Sequence, residues 1–251
     1  SKKIKIMATS KYFTVTIKPT TAASLQAGGT VAAGDILSDW TSFDIPKGAS
    51  KLVGITALVR GTNGARQEKG IDLYFAKTVD GVAPGSLGTV SATADGSNYQ
   101  NHLIGAAHID TGDYKDGLDI MAVASSGHGG GAQHTPGIVL EGEPDTGTNV
   151  GYDKLYLGAV SAGALDFRST VQVSTETATS TAAVVVKTTS ALINFAAGDV
   201  LHDEDDQLIG TIKTVDSATA ITLEAKAASV SAVNKDLYNI NPLTYILSFE
   251  K

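Results

Sequence analysis

Gly198-Asp199-Val200-Leu201, Leu208-Ile209-Gly210-Thr211-Ile212-Lys213-Thr214-Val215 and Ile221-Thr222-Leu223 are three short apolar runs separated by polar breaks. The first break is the acidic turn Asp203-Glu204-Asp205-Asp206 and the second is Asp216-Ser217. Their residues are rich in β-branched types and alternate in polarity, which is what a pleated, half-buried strand selects. Three strands joined by tight turns, with a fourth expected at Leu243-Thr244-Tyr245-Ile246-Leu247-Ser248-Phe249, read as a small antiparallel barrel over residues 183–251.

The same grammar runs back towards the start. Tyr12-Phe13-Thr14-Val15-Thr16-Ile17-Lys18 is a first strand. Residues 51–60, nearly continuous in apolar character, predict a central strand covered on both faces. Asn63-Gly64 carries hairpin-turn chemistry, and residues 71–76 alternate well enough to be the partner strand. Residues 84–100 are rich in Gly, Ser and Thr and read as a surface excursion. Further strands are expected near 102–109, 118–124, 137–141, 154–160 and 167–174. Many short strands with polar turns make residues 1–172 a β-sandwich or jelly-roll-like domain. Residues 173–182, including Thr175-Glu176-Thr177-Ala178-Thr179-Ser180, read as a linker, and Ala183-Val184-Val185-Val186 opens the barrel. Residues 1–10 alternate Lys with Ile and can serve either as an arm that adds a strand to a neighbour or as a frayed terminus. Ala32-Ala33-Gly34-Asp35-Ile36-Leu37 is echoed by Ala196-Ala197-Gly198-Asp199-Val200-Leu201, a Gly-Asp turn feeding a strand.

Composition sets the class. The chain has 251 residues, 27 Gly, 6 Pro, no Cys and 18% charged residues, which describes an all-β protein built from small side chains. A formal net charge of −7, with no basic stripe interleaved with aromatics, argues against a nucleic-acid partner. No apolar run approaches the roughly 18–20 residues a membrane helix needs, and no apolar region follows the basic start as in a secretory signal. Without cysteine there is no disulfide, thiol nucleophile or thiolate metal site.

The segments that carry chemistry elsewhere lack their partners here. Asp110-Thr111-Gly112 and Asp145-Thr146-Gly147 repeat the aspartic-protease triplet, but Glu143-Pro144 precedes the second, where an apolar strand is required. Gly127-His128-Gly129-Gly130-Gly131 is similar to an esterase oxyanion loop, yet Ala159-Val160-Ser161-Ala162-Gly163 lacks the first glycine of a nucleophile elbow. His102, His108, His128, His134 and His202 show no ligand spacing, and Asp110, Asp113, Asp116 and Asp119 miss the alternate positions of a calcium loop. The acidic turn 203–206 reads as a solvated hairpin able to steer a basic partner. Trp40, Tyr74, Tyr99, Tyr152 and Tyr156 are scattered, as core aromatics are, although together they could stack on a sugar. No catalytic residue, cofactor-binding residue or metal ligand is assigned, and no cofactor is expected.

Gly198-Asp199-Val200-Leu201, Leu208-Ile209-Gly210-Thr211-Ile212, Ser217-Ala218-Thr219-Ala220-Ile221-Thr222-Leu223 and Asp236-Leu237-Tyr238-Asn239-Ile240 together resemble small β modules of tailed-bacteriophage virion proteins. The Thr/Gly/Ala-rich strands and long loops upstream are similar in style to structural proteins of marine phages. The resemblance implies a non-enzymatic virion structural protein, made in the host cytoplasm, that decorates the capsid by binding the major capsid protein or other virion proteins. It implies a homo-oligomer, with a trimer fitting capsid local symmetry. The alternative it carries is a tail, fibre or receptor-binding β-sandwich that recognises host-surface glycans. Exposed Trp and Tyr on one face would favour that alternative; buried aromatics would favour decoration.

Overall fold

The computed structural model describes residues 11–60, 65–115, 118, 121–126, 137–144, 153–187 and 191–251. Asn63-Gly64, Asp116, Asp119, the loop 127–131, His134, Asp145-Thr146-Gly147, Tyr152 and the arm 1–10 lie outside the described residues.

In chain order the first elements are β1 (Tyr12–Ile17), α1 (Ala23–Ala27), β2 (Thr30–Val31), β3 (Ile36–Asp44), β4 (Ser50–Arg60) and β5 (Ile71–Lys77). β6 (Leu103–Ile109), β7 (Met121–Ser126), β8 (Ile138–Leu140), β9 (Lys154–Ser161) and β10 (Leu165–Asp166) follow. The remainder is β11 (Val173–Thr175), β12 (Ala183–Val186), α2 (Ala191–Asn194), β13 (Val200–Asp203), β14 (Leu208–Ser217), β15 (Ala220–Leu223), β16 (Leu237–Asn239) and β17 (Leu243–Glu250). The fold is all-β, as the alternation predicts.

Two antiparallel sheets form the sandwich. One runs β1-β17-β4-β7, with β8 also paired to β4, and the other runs β3-β9-β5-β6. Each strand sends alternate residues into the space between them. In β17 these are Leu243, Tyr245, Leu247 and Phe249, all essentially inaccessible. Phe249 stacks on Phe13 at 5.1 Å and faces Phe43 at 6.4 Å, so a single ring ties β1 and β3 to the central strand. Each such side chain contributes roughly 1.5–3 kcal/mol through burial.

This places the last strand differently from the sequence reading. β17 closes no barrel; it lies between β1 and β4 in the large sheet, paired from Leu243 opposite Val59 to Glu250 opposite Lys51 with one register shift after Ser248. The alternation of β17 requires one dry face, and the sandwich core supplies it. β4 is central, as expected, but only one face is covered: Leu52, Ile55, Ala57 and Val59 are buried while Val53, Thr56 and Leu58 stay half-exposed.

The second module is a six-stranded sheet, β11-β12-β15-β14-β13-β16, that curls into a half-barrel. Its ends approach one another, since Leu237 N–H donates to Val171 O (2.8 Å) and Val173 N–H to Lys235 O (2.9 Å). Its core includes Val171, Val173, Val184, Val186, Leu201, Ile209, Ile212, Ile221, Leu223 and Leu237. Residues 173–182 are therefore not a free linker. Val173 fills the core, and Thr177, 2% exposed, donates to Ser229 O at 3.1 Å and accepts from Ser231 N–H at 2.6 Å.

The echoed hexapeptides adopt one turn. Gly34 and Gly198 both have φ 88°, and in each turn the Asp N–H donates to the Ala three residues earlier at 3.1 Å. An L side chain pays a steric penalty at that φ, which is why glycine stands there.

Candidate functional site

The two outer faces of the sandwich differ. Over the β3 and β9 side of the β3-β9-β5-β6 sheet lies the segment 79–102, which is no loose excursion. Leu87 (1% exposed) and Tyr99 pack with Ile36 into a separate small core flanked by Trp40. Gly158 of β9 makes room for it, since a Cβ there would sit 2.3 Å from Leu87 Cδ1 and 3.1 Å from the Trp40 ring. Asp39 anchors the segment, accepting from Leu87 N–H at 2.8 Å and Ser86 Oγ–H at 2.6 Å.

The outer face of β1-β17-β4-β7 carries no such cover among the described residues. Its central rows read Thr14-Ser248-Gly54, then Thr16-Ile246-Thr56-Ser125, then Thr244-Leu58-Val123, between the charged end rows Tyr12-Glu250-Lys51 and Arg60-Met121. The side chains of the central rows are half-exposed or exposed, short, and uncharged. Hydroxyls alternate with Ile246, Leu58 and Val123 across a pleated plane, a surface suited to a broad contact rather than to holding one reacting atom. Where the face meets the second module, a cleft of about 280 Å³ opens between Leu58, Ile246 and Thr244 on one side and Gly198, Asp199 and Asn241 on the other.

The junction beside that cleft is braced by specific bonds. Arg60 Nη2 donates to Asp199 Oδ1 at 2.9 Å, and Ala196 N–H donates to Asp199 Oδ2 at 2.8 Å. Burial pushes the Asp199 carboxyl above the usual aspartate range; the Arg60 charge opposes this without cancelling it. Gln26 Nε2 donates to Asn239 O at 2.9 Å, and Ser24 donates to Asp206 through both N–H (3.2 Å) and Oγ–H (2.5 Å). Asn241 Nδ2 donates to Pro19 O at 3.0 Å.

The residues singled out in sequence do not converge. Asp110-Thr111-Gly112 is a capped turn in which Asp110 accepts from Gly112 N–H (3.2 Å) and Thr111 Oγ–H (3.0 Å), while Asp113 accepts from Asp110 N–H (3.0 Å). His102 Nδ1 lies 3.0 Å from Lys77 O, His108 Nδ1 2.6 Å from Asp72 Oδ1, and His202 Nδ1 3.0 Å from Asp206 O. Among the described residues no three His, Asp or Glu side chains are placed to share a metal ion. The acidic turn is not simply solvated. Asp203, 2% exposed, accepts from Gln207 N–H (3.0 Å) and Ser231 Oγ–H (2.8 Å), and Lys235 pairs with Glu204 (2.7 Å) and Asp205 (3.0 Å).

The aromatics gather in part. Trp40 meets Tyr99 edge to face at 5.4 Å, and its indole N–H donates to Gly85 O at 2.8 Å. Tyr99 is buried and Tyr74 and Tyr156 are half-buried.

Compared with protein families, with curated proteins and with solved structures, the chain matches none. Its own geometry is what bears on function.

The open face is not announced by the sequence, because Thr244, Ile246, Thr56 and Leu58 are ordinary strand formers whose outward side depends on what covers the sheet. The alternation is nonetheless there: Leu243-Thr244-Tyr245-Ile246-Leu247-Ser248-Phe249 places small or hydroxylated residues, with one Ile, at every second position.

Proposed function

We propose that this chain is a non-enzymatic virion structural protein whose open sheet face docks on the outer capsid surface and stabilises it. One observation carries the reading: one outer face of the sandwich is covered along β3 and β9 by 79–102, and the other presents Thr16-Ile246-Thr56-Ser125 and Thr244-Leu58-Val123. Ile246, Leu58 and Val123, left half-exposed among hydroxyl side chains on one open face, favour a partner surface. The absence of charge in those rows suits a broad protein partner, here the major capsid protein or a neighbouring virion protein. The aromatic arrangement weighs against the receptor-binding alternative, since Tyr99 is 7% exposed and the Trp40 indole is committed to Gly85.

Co-sedimentation of the purified chain with capsid shells tests this. Stoichiometric binding is expected, and Ile246→Lys combined with Val123→Glu should weaken it at least about tenfold. Both side chains point away from the core, so stability should change by no more than roughly 1 kcal/mol. A chain that ignores shells, or a charged double variant that binds as well as the parent, would sink the proposal. Retention on a column of host-surface glycans, with no shell binding, would put the receptor-binding alternative in its place.

A further inference from the structure

Sheet edges carry unpaired N–H and C=O groups, and proteins blunt them to avoid unwanted pairing. Most edges of this fold are blunted. β7 is covered by Tyr114, bridged to Ala124, with Lys115 N–H donating to Val123 O at 2.9 Å. β6 carries a register shift where it passes Phe75 and Ala76 of β5. β3 carries two register shifts, and Ile36 exchanges backbone bonds of 2.9 Å with Ser91 and Ala92. β11 has a register shift and is bonded to the 234–235 segment. β16 is bonded back to Val171.

β1 differs. Its pairing with β17 runs without a shift from Tyr12 opposite Glu250 to Ile17 opposite Tyr245, and β17 is its one strand partner among the described residues. The bond from Lys251 N–H to Lys11 O (2.8 Å) fixes the phase. Phe13, Val15 and Ile17 turn their backbone groups towards β17, while Thr14 and Thr16 turn theirs outward. The segment Phe13-Thr14-Val15-Thr16-Ile17 has no charge, no proline and no bulge. Phe13 and Val15, on the core side, remain half-buried at this edge.

We propose that two copies of this chain associate through this edge, pairing β1 antiparallel to β1 of the second copy about a two-fold axis at Val15. The sequence selects a second copy over a foreign strand because it is a chemical palindrome. Reversed about Val15, Thr14 stands opposite Thr16, Phe13 opposite Ile17, and Val15 opposite itself. Thr–Thr and aromatic–β-branched pairs are among the favourable cross-strand pairs, and no like charges are opposed. Thr14 and Thr16 form the hydrogen-bonded pair, so the groups that point outward are the ones that are used. An antiparallel edge closes on a two-fold axis, which takes the place of the trimer suggested by capsid local symmetry. The pairing does not depend on a virion setting, so shell binding and self-association can fail separately.

The test uses the whole chain. Sedimentation equilibrium should give the mass of two chains. Val15→Cys introduces the protein's single cysteine at a non-hydrogen-bonded self-pair, where Cα atoms stand about 4.5 Å apart, within disulfide range. Mild oxidation should therefore crosslink it to a covalent dimer, whereas Thr14→Cys, opposite Thr16, should crosslink far less. Thr14→Pro removes an outward N–H while sparing every bond to β17, as edge strands tolerate. It should raise the dimer dissociation constant at least about tenfold with an unchanged circular dichroism spectrum. A wild-type mass of one chain, a three-chain mass, or no crosslink at Val15→Cys would each overturn the proposal. So would a dimer that a folded Thr14→Pro leaves intact.

Discussion

Tyr245 illustrates how much a single side chain in this fold is set by its neighbours. It lies on β17 opposite Ala57, fully buried, and its hydroxyl has no hydrogen-bond partner among the described residues. Burial drives its pKa far above the usual phenol range, with Tyr114 adding to the shift. The ring fills the core while the oxygen carries a desolvation cost that nothing offsets. Tyr245→Phe should accordingly stabilise the protein by about 1 kcal/mol in urea denaturation; a loss of stability would mean that the hydroxyl is satisfied. Burying the same ring in the sequence reading needed only the alternation of β17. The unpaired hydroxyl was not legible there, because it depends on which strand faces Tyr245.

At the scale of elements, the covering segment 79–102 is the clearest departure from expectation. Its Gly, Ser and Thr content reads as solvent-exposed, yet Leu87 and Tyr99 dock on the sheet through a gap that Gly158 leaves open. The anchor residues are few and widely spaced, so no periodicity announces them. Leu87→Ala should cost about 2–4 kcal/mol of the local stability of this segment. Trp40, the chain's single tryptophan, abuts it. Its fluorescence should shift to the red in that variant below the global unfolding temperature. An unchanged emission maximum would show that the segment does not depend on Leu87. The hairpins β13-β14 and β14-β15, by contrast, were legible in outline, because their turns are short and local, although β14 runs through the Asp216-Ser217 break and turns at Ala218-Thr219.

Across the whole molecule, carboxylates set the response to acid. The Ser97 N–H holds Asp95 below the usual range, the Gly112 N–H holds Asp110, the Arg168 guanidinium Asp166, the Thr222 hydroxyl Asp216 and the Lys11 ammonium Glu250. Burial pushes the other way at Glu143 and Asp206, but hydrogen bonds from Gly81 and Ser24 outweigh it. Groups with lowered pKa contribute stability above their unfolded value and lose it as pH falls through the folded one. Asp199 and Asp236, both raised by burial, act in the opposite sense, and their cost is relieved as pH falls towards about 4. The thermal midpoint should thus be flat or rise slightly from pH 6 to about 4.5, then fall below about pH 4. A midpoint still rising at pH 3 would contradict this balance.

By itself the sequence determined the all-β class, the positions of most strands and the existence of the two turns of the C-terminal hairpins, because alternation and turn chemistry are local. The tertiary structure alone decided that β17 belongs to the sandwich and that Val171 and Val173 belong to the half-barrel. An apolar alternation states that a strand has one dry face, but not which core dries it. The open face, the Arg60–Asp199 brace and the bare edge of β1 follow from that choice. Each depends on partners far away in the chain, fixed by long-range packing rather than by neighbouring residues.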